Sequence, residues 1–256
     1  MPNKSLGQHW LTDRSILSAI ADDAQLTKDD TVLEIGPGLG TLTSELLRRA
    51  GKVVAVEFDE ALARKLPGQF PGTNLEVIND DILQFDLSKL PSGYKVVANV
   101  PYYITSKIVE KLMTASNKPS VSVLLVQKEV AERIAAGPGD MSLLALSAQI
   151  YADAQLGIEV PREYFTPPPK VDSQVVTLTS RAEPLVPDAE LKVFWRVAHA
   201  GFANRRKKLR SSLSAVLGVS KQEIEAQLQA AAIDHNLRAQ DVSIEDWRRL
   251  VAVLNT

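Results

Sequence analysis

Five short apolar runs recur along the first half of the chain, and amphipathic stretches lie between them. The runs occupy residues 31–35, 52–57, 75–78, 95–98 and 121–126. Such runs are typical of strands that are buried on both faces of a parallel sheet. Helical patterns separate them, for example at 106–114 and 141–150. Strands that alternate with helices predict an α/β fold with a doubly wound sheet.

Further patterns flank this sheet. A short arm, residues 5–11, precedes a helix for which Thr12 or Asp13 is the predicted N-cap. The proline-rich run 165–170 forms a stiff, extended loop, and the alternation at 171–179 predicts a late strand.

The last quarter of the chain shows only helical patterns. Ser220 with Glu223 forms a capping box, and Ser243 caps a last helix. The composition changes at residues 182–187, which contain two prolines. We therefore predict a first domain at 1–181, a linker at 182–187 and a small all-α domain at 188–256.

Composition limits the classes of protein to consider. The 256 residues are 45% hydrophobic and 23% charged, which is ordinary for a globular protein. The absence of cysteine excludes disulfides, thiol nucleophiles and Cys-ligated zinc, and the three scattered histidines indicate no metal site. Neither a membrane span nor a signal-peptide core is apparent, so we expect a cytoplasmic protein. No long apolar stripe requires a dimer, and a monomer is expected.

A glycine-rich turn follows the first apolar run. Gly36, Gly38 and Gly40 alternate with other residues between the predicted strand and a helix. Such a turn lets a ligand approach the backbone, and the helix N-terminus favours an anionic group. Glu57 ends the next strand, 21 residues after Gly36, where a carboxylate can bind a ribose diol. The turn alone predicts a nucleotide-like ligand.

The run Asn99-Val100-Pro101-Tyr102 ends the fourth predicted strand. The Asn99 side-chain oxygen and the Val100 carbonyl can both accept hydrogen bonds from a planar exocyclic amine. Pro101 fixes the turn, and Tyr102 offers a face on which a base can stack. Two acceptors around a conjugated amine favour the pyramidal, nucleophilic geometry as a new bond forms. The tetrapeptide therefore indicates chemistry on an amino group of a base.

Five spaced motifs resemble, in the same order, the bacterial ribosomal RNA small-subunit adenine dimethyltransferases. They are Gly7-Gln8-His9-Trp10-Leu11, the run from Glu34 to Gly40, the run from Asn99 to Tyr102, the run from Phe165 to Ser173, and the run from Phe202 to Arg210. The resemblance implies a class I, Rossmann-like methyltransferase sheet with a small helical domain. It also implies S-adenosylmethionine as methyl donor and N6,N6-dimethylation of two adjacent adenosines in the 3′-terminal hairpin loop of 16S rRNA, with a role in maturation of the small subunit.

The resemblance also assigns residues. The cofactor pocket is expected at His9, Leu11, Gly36, Gly38, Glu57, Asp81, Ile82 and Asn99. Asp81 would accept from the cofactor's adenine amine, and the Gly36–Gly38 backbone would accommodate the methionine portion. Phe165 would form a second stacking wall opposite Tyr102. The basic cluster, defined as Arg205, Arg206, Lys207, Lys208 and Arg210, is expected to line a helix and contact RNA.

Three alternatives were weighed. A related family methylates 23S rRNA and confers antibiotic resistance; it shares the turn and the tetrapeptide, but the Phe165–Ser173 run and the basic cluster look more like the small-subunit group. A nicotinamide oxidoreductase would require glycine at position 41, where this chain has Thr41. A non-catalytic RNA-binding assembly factor would be expected to lose the acceptor motif, yet Asn99 and Tyr102 are intact.

Overall fold

The computed structural model describes residues 9–254. Residues 1–8 and 255–256 are outside the described residues, and so Gly7 and Gln8 of the arm motif are not placed.

Strands and helices alternate through the first two thirds of the described chain. The strands are β1 (Trp10–Leu11), β2 (Thr31–Ile35), β3 (Lys52–Glu57), β4 (Leu75–Asn79), β5 (Lys95–Asn99), β6 (Val121–Gln127), β7 (Ala152–Val160), β8 (Phe165–Thr166) and β9 (Ser173–Ser180). The α-helices are α1 (Arg14–Asp23), α2 (Thr41–Arg49), α3 (Glu60–Gln69), α4 (Thr105–Thr114), α5 (Lys128–Ile134), α6 (Leu143–Gln149), α7 (Asp188–Phe202), α8 (Leu209–Leu217), α9 (Lys221–Ala230) and α10 (Ile244–Leu254).

Seven strands form one sheet in the order β4-β3-β2-β5-β6-β9-β7. The first five are parallel, β9 pairs antiparallel with β6, and β7 pairs antiparallel with β9. The chain runs from β2 outward through β3 to β4 and then returns to β5 on the other side of β2. This reversal makes the carboxyl ends of β2 and β5 the crevice in which a doubly wound sheet binds its ligand.

The predicted α/β sheet is confirmed, and besides the two-residue strands β1 and β8 the structure has three elements that the sequence did not predict. The edge strand β7 is one, because its register shifts between Leu156 and Glu159 and interrupts the alternation. The helices α3 and α5 are the others; α3 contains Pro67, which reads as a helix breaker. The N-terminal helix α1 begins as expected, with the Asp13 carboxylate accepting from the N–H groups of Ser15 and Ile16.

The described chain divides into two compact units. The first comprises residues up to Glu132 together with Ala152–Ser180, and the second comprises Arg133–Tyr151 together with the chain from Arg181 onward. Residues 133–151 thus differ from the predicted division, which placed them in the first domain. Backbone bonds explain their grouping, since Arg181 N–H donates to Tyr151 O and Leu185 N–H donates to Ile150 O, both at 2.8 Å.

The second unit is helical, and its predicted caps are present. Ser220 accepts from Glu223 N–H at the start of α9, but the reciprocal bond of the predicted capping box, from Ser220 N–H to Glu223, is absent among residues 9–254. Ser243 accepts from Asp246 N–H while Asp246 accepts from Ser243 N–H, a complete capping box before α10. No helix within residues 9–254 is long and apolar enough to cross a membrane.

Candidate active site at the carboxyl edge of the sheet

One cavity of the first unit opens where β2, β3 and β5 end. It brings together eleven of the twelve residues that the sequence assigned to cofactor and base, namely His9, Leu11, Gly36, Gly38, Glu57, Asp81, Ile82, Asn99, Val100, Pro101 and Tyr102. These residues come from five separate segments of the chain. The parallel sheet places their segments at one edge, as the strand-end argument requires.

The glycine turn between β2 and α2 adopts a backbone that favours glycine. Gly36 and Gly38 have φ values of +66° and +56°. Gly36 N–H donates to Val56 O at 2.9 Å, which ties the turn to β3. A Cβ on Gly38 would lie 3.5 Å from Trp10 Nε1, so the indole packs directly on the bare backbone. The turn therefore presents backbone, rather than side chains, to the cavity.

Glu57 lies at the end of β3 and is held by the backbone. Its carboxylate accepts from Gly38 N–H at 3.0 Å and from Asp59 N–H at 2.9 Å. Burial raises the pKa of Glu57, and these two hydrogen bonds counteract part of that rise. The side chain is thus fixed in one orientation at the cavity wall, as a group that binds a diol must be.

Glu34 is a second buried acid in the same wall. Its side chain is 1% exposed, and its carboxylate accepts from the Thr43 hydroxyl at 2.6 Å. Burial raises the pKa of Glu34 to about 8; the Thr43 hydrogen bond opposes the rise, and the charge of Glu57 adds to it. Glu34 is therefore mostly protonated at neutral pH. The sequence showed it only as one acid in an apolar run.

Asp81 and Ile82 form the part of the cavity that follows β4. One Asp81 oxygen accepts from Leu83 N–H at 2.9 Å, which holds the carboxylate in place. The other oxygen has no donor within the part of the chain that the structure describes. Ile82 is buried beside it and supplies apolar surface. An acceptor next to apolar surface suits a planar heterocycle that carries an amine.

Asn99, at the end of β5, has its side-chain oxygen free. Its Nδ2 donates to His9 O at 3.2 Å, and because a carbonyl can only accept, the amide nitrogen must face His9. Neither Asn99 Oδ1 nor the Val100 carbonyl receives a hydrogen bond from residues 9–254. The carbonyls of Pro101 and Tyr102, by contrast, accept from the Thr105 hydroxyl. The two predicted acceptors are thus the ones left available.

Tyr102 is held at both ends. Its hydroxyl and Ser173 Oγ are 2.6 Å apart, and its ring stacks on the His9 imidazole with centroids 5.8 Å apart and planes 20° apart. His9 Nδ1 in turn donates to Pro167 O at 2.7 Å. Burial raises the pKa of Tyr102, so its hydroxyl stays protonated. The arm therefore reaches across the cavity to the predicted base-stacking residue.

Phe165 does not line the cavity, which corrects its prediction as a second stacking wall. Its side chain is 2% exposed and belongs to the apolar core with Leu11, Leu17 and Val175. Its backbone pairs with Leu11 as β8 pairs with β1, which turns the ring toward that core. His9 is the residue that contacts the Tyr102 ring instead.

The residues fit a ligand with a diol and hydrogen-bond acceptors. Trp10 Nε1–H is buried in the cavity wall and has no acceptor within residues 9–254. Buried donors without partners are rare in proteins, and a bound group is one way to satisfy them. With the Glu57 carboxylate and the bare glycine turn, the wall suits the ribose and amino-acid portions of S-adenosylmethionine.

The basic cluster lies in the second unit, mostly outside a helix. The chain turns after α7, with Lys207 N–H donating to Asn204 O at 2.9 Å, and α8 begins only at Leu209. The helix is interrupted because Leu209 is buried and its N–H donates to Leu237 O at 2.7 Å. The predicted helical placement is therefore wrong for every member except Arg210.

The members of the basic cluster differ in their partners. Lys208 Nζ donates to Asn236 Oδ1 at 2.7 Å, and Arg210 forms an ion pair with Glu225. Arg205, Arg206 and Lys207 are exposed and form no ion pair with the described residues. The cations available to an external anion are these three.

Several residues that line the cavity have no role predicted from the sequence, and Trp10, Glu34, Phe58 and Tyr103 are among them. Phe58 directly follows Glu57, and Tyr103 directly follows Tyr102. An aromatic side chain next to a predicted site residue was the available signal for both.

Comparisons with known proteins agree with this geometry. The family model of ribosomal RNA adenine dimethylase matches residues 2–256. Ribosomal RNA small subunit methyltransferase A of Dehalococcoides mccartyi strain 195 is 42% identical over 98% of this chain and 87% of its own length. The protein of that name from Streptococcus thermophilus strain CNRZ 1066 is 40% identical over 96% of this chain and 90% of its own.

Solved structures show the same fold. A dimethyladenosine transferase from Plasmodium falciparum aligns with a TM-score of 0.82 at 26% identity, covering 96% of this chain and 98% of its own. The 23S rRNA methyltransferase ErmE aligns with a TM-score of 0.78 at 32% identity, covering 96% and 100%. This chain belongs to the ribosomal RNA adenine dimethylase family, the members of which are S-adenosylmethionine-dependent methyltransferases that act on ribosomal RNA.

Proposed function

We propose that this enzyme dimethylates the N6 amines of two adjacent adenosines in the 3′-terminal hairpin loop of 16S rRNA, within the maturing small ribosomal subunit. The relatives named for the small subunit are 42% and 40% identical to this chain, whereas the 23S rRNA enzyme ErmE is 32% identical. The site geometry supports an amine of a base as the methyl acceptor, and the relatives support the choice of subunit.

The observation that carries the chemistry is the pair of available acceptors at the end of β5. Asn99 Oδ1 and the Val100 carbonyl lie on consecutive residues and receive no hydrogen bond from residues 9–254. An exocyclic amine has two N–H groups, which match two acceptors. Accepting from both draws the nitrogen lone pair out of conjugation with the ring and leaves it available for attack.

The remaining lining residues orient the two reactants. Tyr102 stacks on the adenine with the face that His9 leaves uncovered, and its hydrogen bond with Ser173 fixes the ring. Glu57 binds the ribose hydroxyls of the donor, Asp81 accepts from its adenine amine, and the Gly36–Gly38 backbone accommodates its amino-acid portion. When bound, S-adenosylmethionine supplies an electrophilic methyl group.

Proton removal requires no strong base in this arrangement. The attacking nitrogen becomes cationic as it gains a methyl group, and a cationic nitrogen of this kind releases its proton readily to water. Two of the carboxyl groups that line the cavity are already hydrogen-bonded to the protein, since Glu34 bonds to Thr43 and Glu57 bonds to Gly38 and Asp59. The work of this site is therefore positioning and acceptance of hydrogen bonds.

RNA contact by the second unit is part of the proposal. Arg205, Arg206 and Lys207 lie in an exposed turn and form no ion pair with residues 9–254, which suits contact with the phosphates of an RNA backbone. The proposed enzyme is a monomer, since its sequence has no long apolar stripe that would require a dimer.

The test is mass-spectrometric mapping of methylated adenosines in undermethylated small subunits and in naked 23S rRNA, each incubated with the protein and donor. We expect two N6,N6-dimethyladenosines in the 3′-terminal loop of 16S rRNA, and none in 23S rRNA. Methylation of 23S rRNA alone would favour the antibiotic-resistance activity. No methylation of either RNA, with subunit binding retained, would favour a non-catalytic assembly factor.

A further inference from the structure

The two most exposed large apolar side chains among the described residues both lie at the mouth of the active-site cavity. Tyr103 is 65% exposed and Phe58 is 62% exposed. The other five exposed side chains of this class do not line the cavity; they are Leu156, Ile158, Tyr164, Val171 and Val216. Single exposed apolar residues are common, but two aromatic rings at one cavity mouth mark a place where a ligand binds.

The two rings stand beside different parts of the site. Phe58 follows Glu57, and so it lies next to the residue proposed to bind the donor's ribose. Tyr103 follows the Asn99–Tyr102 run, and so it lies next to the residues proposed to bind the methyl acceptor. The two consecutive tyrosines have different surroundings. Tyr102 is held by Ser173 and His9, whereas the Tyr103 side chain forms no hydrogen bond and no ring contact with residues 9–254.

The backbone that carries Tyr103 is nevertheless well fixed. Residues Tyr102–Ile104 form a 3₁₀ turn that starts at Pro101, and Ile104 N–H donates to Pro101 O at 3.2 Å. The Thr105 hydroxyl reaches the carbonyls of Pro101 and Tyr102. Tyr103 is thus an exposed aromatic ring on a rigid support, directly next to the slot for the target base.

An RNA strand with one base in that slot must leave the next base at the mouth. A base that has lost its stacked neighbour presents an uncovered face, and aromatic side chains stack on such faces in many RNA complexes. We propose that Tyr103 stacks on the nucleobase adjoining the target adenosine and so helps to select a site in which that neighbour is a purine. This inference rests on the proposed function of the same cavity.

The geometry makes the two adenosines unequal. When the 5′ adenosine occupies the slot, its partner adjoins it on the 3′ side; when the 3′ adenosine does, its partner adjoins it on the 5′ side. A single fixed ring stands on only one side of the slot. Tyr103 therefore assists methylation of one of the two adenosines by stacking on the other. It contributes less when the second adenosine occupies the slot, because the first then lies on the opposite side.

The experiment uses undermethylated small subunits in which one of the two adenosines is replaced by guanosine or by cytidine, so that only the other can be methylated. KM and kcat are measured for the unaltered enzyme, for Tyr103→Ala and for Tyr103→Phe. Tyr164→Ala is the matched control, because Tyr164 is also an exposed tyrosine of the first unit but does not line the cavity.

For one of the two adenosines, we expect the unaltered enzyme to show a KM several-fold lower with a guanosine neighbour than with cytidine, because a purine offers more stacking area. Tyr103→Ala should raise the KM with guanosine about five-fold or more and abolish the preference, with kcat little changed. Tyr103→Phe should restore both values, and Tyr164→Ala should match the unaltered enzyme.

A purine preference that survives in Tyr103→Ala would overturn the inference, as would equal KM values for all enzymes. If the unaltered enzyme does not methylate unsubstituted subunits either, the proposed function fails, and the inference fails with it. Methylation of unsubstituted subunits but of none of the substituted ones overturns the inference alone. Methylation by the unaltered enzyme with no dependence on Tyr103 refutes the inference alone.

Discussion

Replacement of Glu34 by glutamine should change how the stability of the first unit depends on pH. The folded protein holds the Glu34 proton until about pH 8, whereas an unfolded chain releases it near the ordinary pKa of 4.5. Between these values the folded state binds more protons than the unfolded state. Raising the pH therefore favours unfolding, by about 1.4 kcal/mol per pH unit for one group.

The structure also sets the limits of the effect. Across the whole interval the loss amounts to at most about 5 kcal/mol, and it stops changing above pH 8, where both states are ionised. Glutamine keeps an oxygen that can accept from the Thr43 hydroxyl and carries no proton to lose. Any destabilisation by the added N–H groups of glutamine does not vary with pH. The diagnostic quantity is therefore the slope of the free energy of unfolding against pH, rather than its absolute value.

The assay is urea unfolding of the cofactor-free protein between pH 5 and pH 8 at constant ionic strength, with the transition that unfolds β2 identified by exchange of its amides. Unaltered protein should lose stability relative to Glu34→Gln as the pH rises. Glu57 titrates in both proteins and largely cancels. Glu60→Gln, an exposed change on α3, should run parallel to the unaltered protein. Parallel curves for Glu34→Gln as well would refute a protonated, buried Glu34.

Four other changes test the site and its surroundings. Asn99→Ala should nearly abolish methyl transfer while donor affinity, measured calorimetrically, stays within a few-fold; normal turnover would remove the acceptor pair. Glu57→Ala should weaken donor binding by about 1–3 kcal/mol, and unchanged affinity would place the ribose elsewhere. Phe165→Ala should lower the free energy of unfolding by about 3–5 kcal/mol, whereas Phe165→Leu should retain transfer; loss of transfer without loss of stability would reinstate the stacking wall. Replacing Arg205, Arg206 and Lys207 by alanine should reduce the slope of log K for RNA binding against log salt concentration by about two to three units. The control is replacement of Lys65, Lys89 and Lys221 by alanine, which should leave this slope unchanged.

Sequence patterns predicted the parts of the fold in which local and tertiary preferences agree. The strands β2, β3, β5 and β6 are buried and largely apolar on both faces, and so their pattern needs no tertiary information. The strand β7 escaped prediction because it lies at the sheet edge and carries a bulge, so its exposed residues follow no simple alternation. The helix α3 escaped prediction because Pro67, which lies inside it, indicates a helix break in the sequence.

The site was predictable wherever its position followed from strand ends. Glu57, Asp81 and Asn99 converge because parallel strands share one carboxyl edge. The direction of a side chain in a loop was not predictable in this way. The Phe165 side chain packs in the core, where β8 pairs with β1. Most of the basic cluster lies outside a helix, because α8 begins only at Leu209, which is buried and whose N–H donates to Leu237 O. Both outcomes depend on contacts between residues far apart in the chain.

The pairing of β1 with β8 connects the arm beside the proposed donor site with the loop beside the proposed methyl-acceptor site. His9 and Leu11 belong to the arm beside the donor, while Thr166 and Pro167 belong to the loop on the side of Tyr102. Because strand hydrogen bonds and the His9–Pro167 contact connect these segments, a displacement of one carries the other with it. We therefore expect occupancy by donor and occupancy by RNA to be thermodynamically linked, and such linkage is reciprocal. Whatever factor RNA imposes on the donor's dissociation constant, the donor must impose on that of RNA.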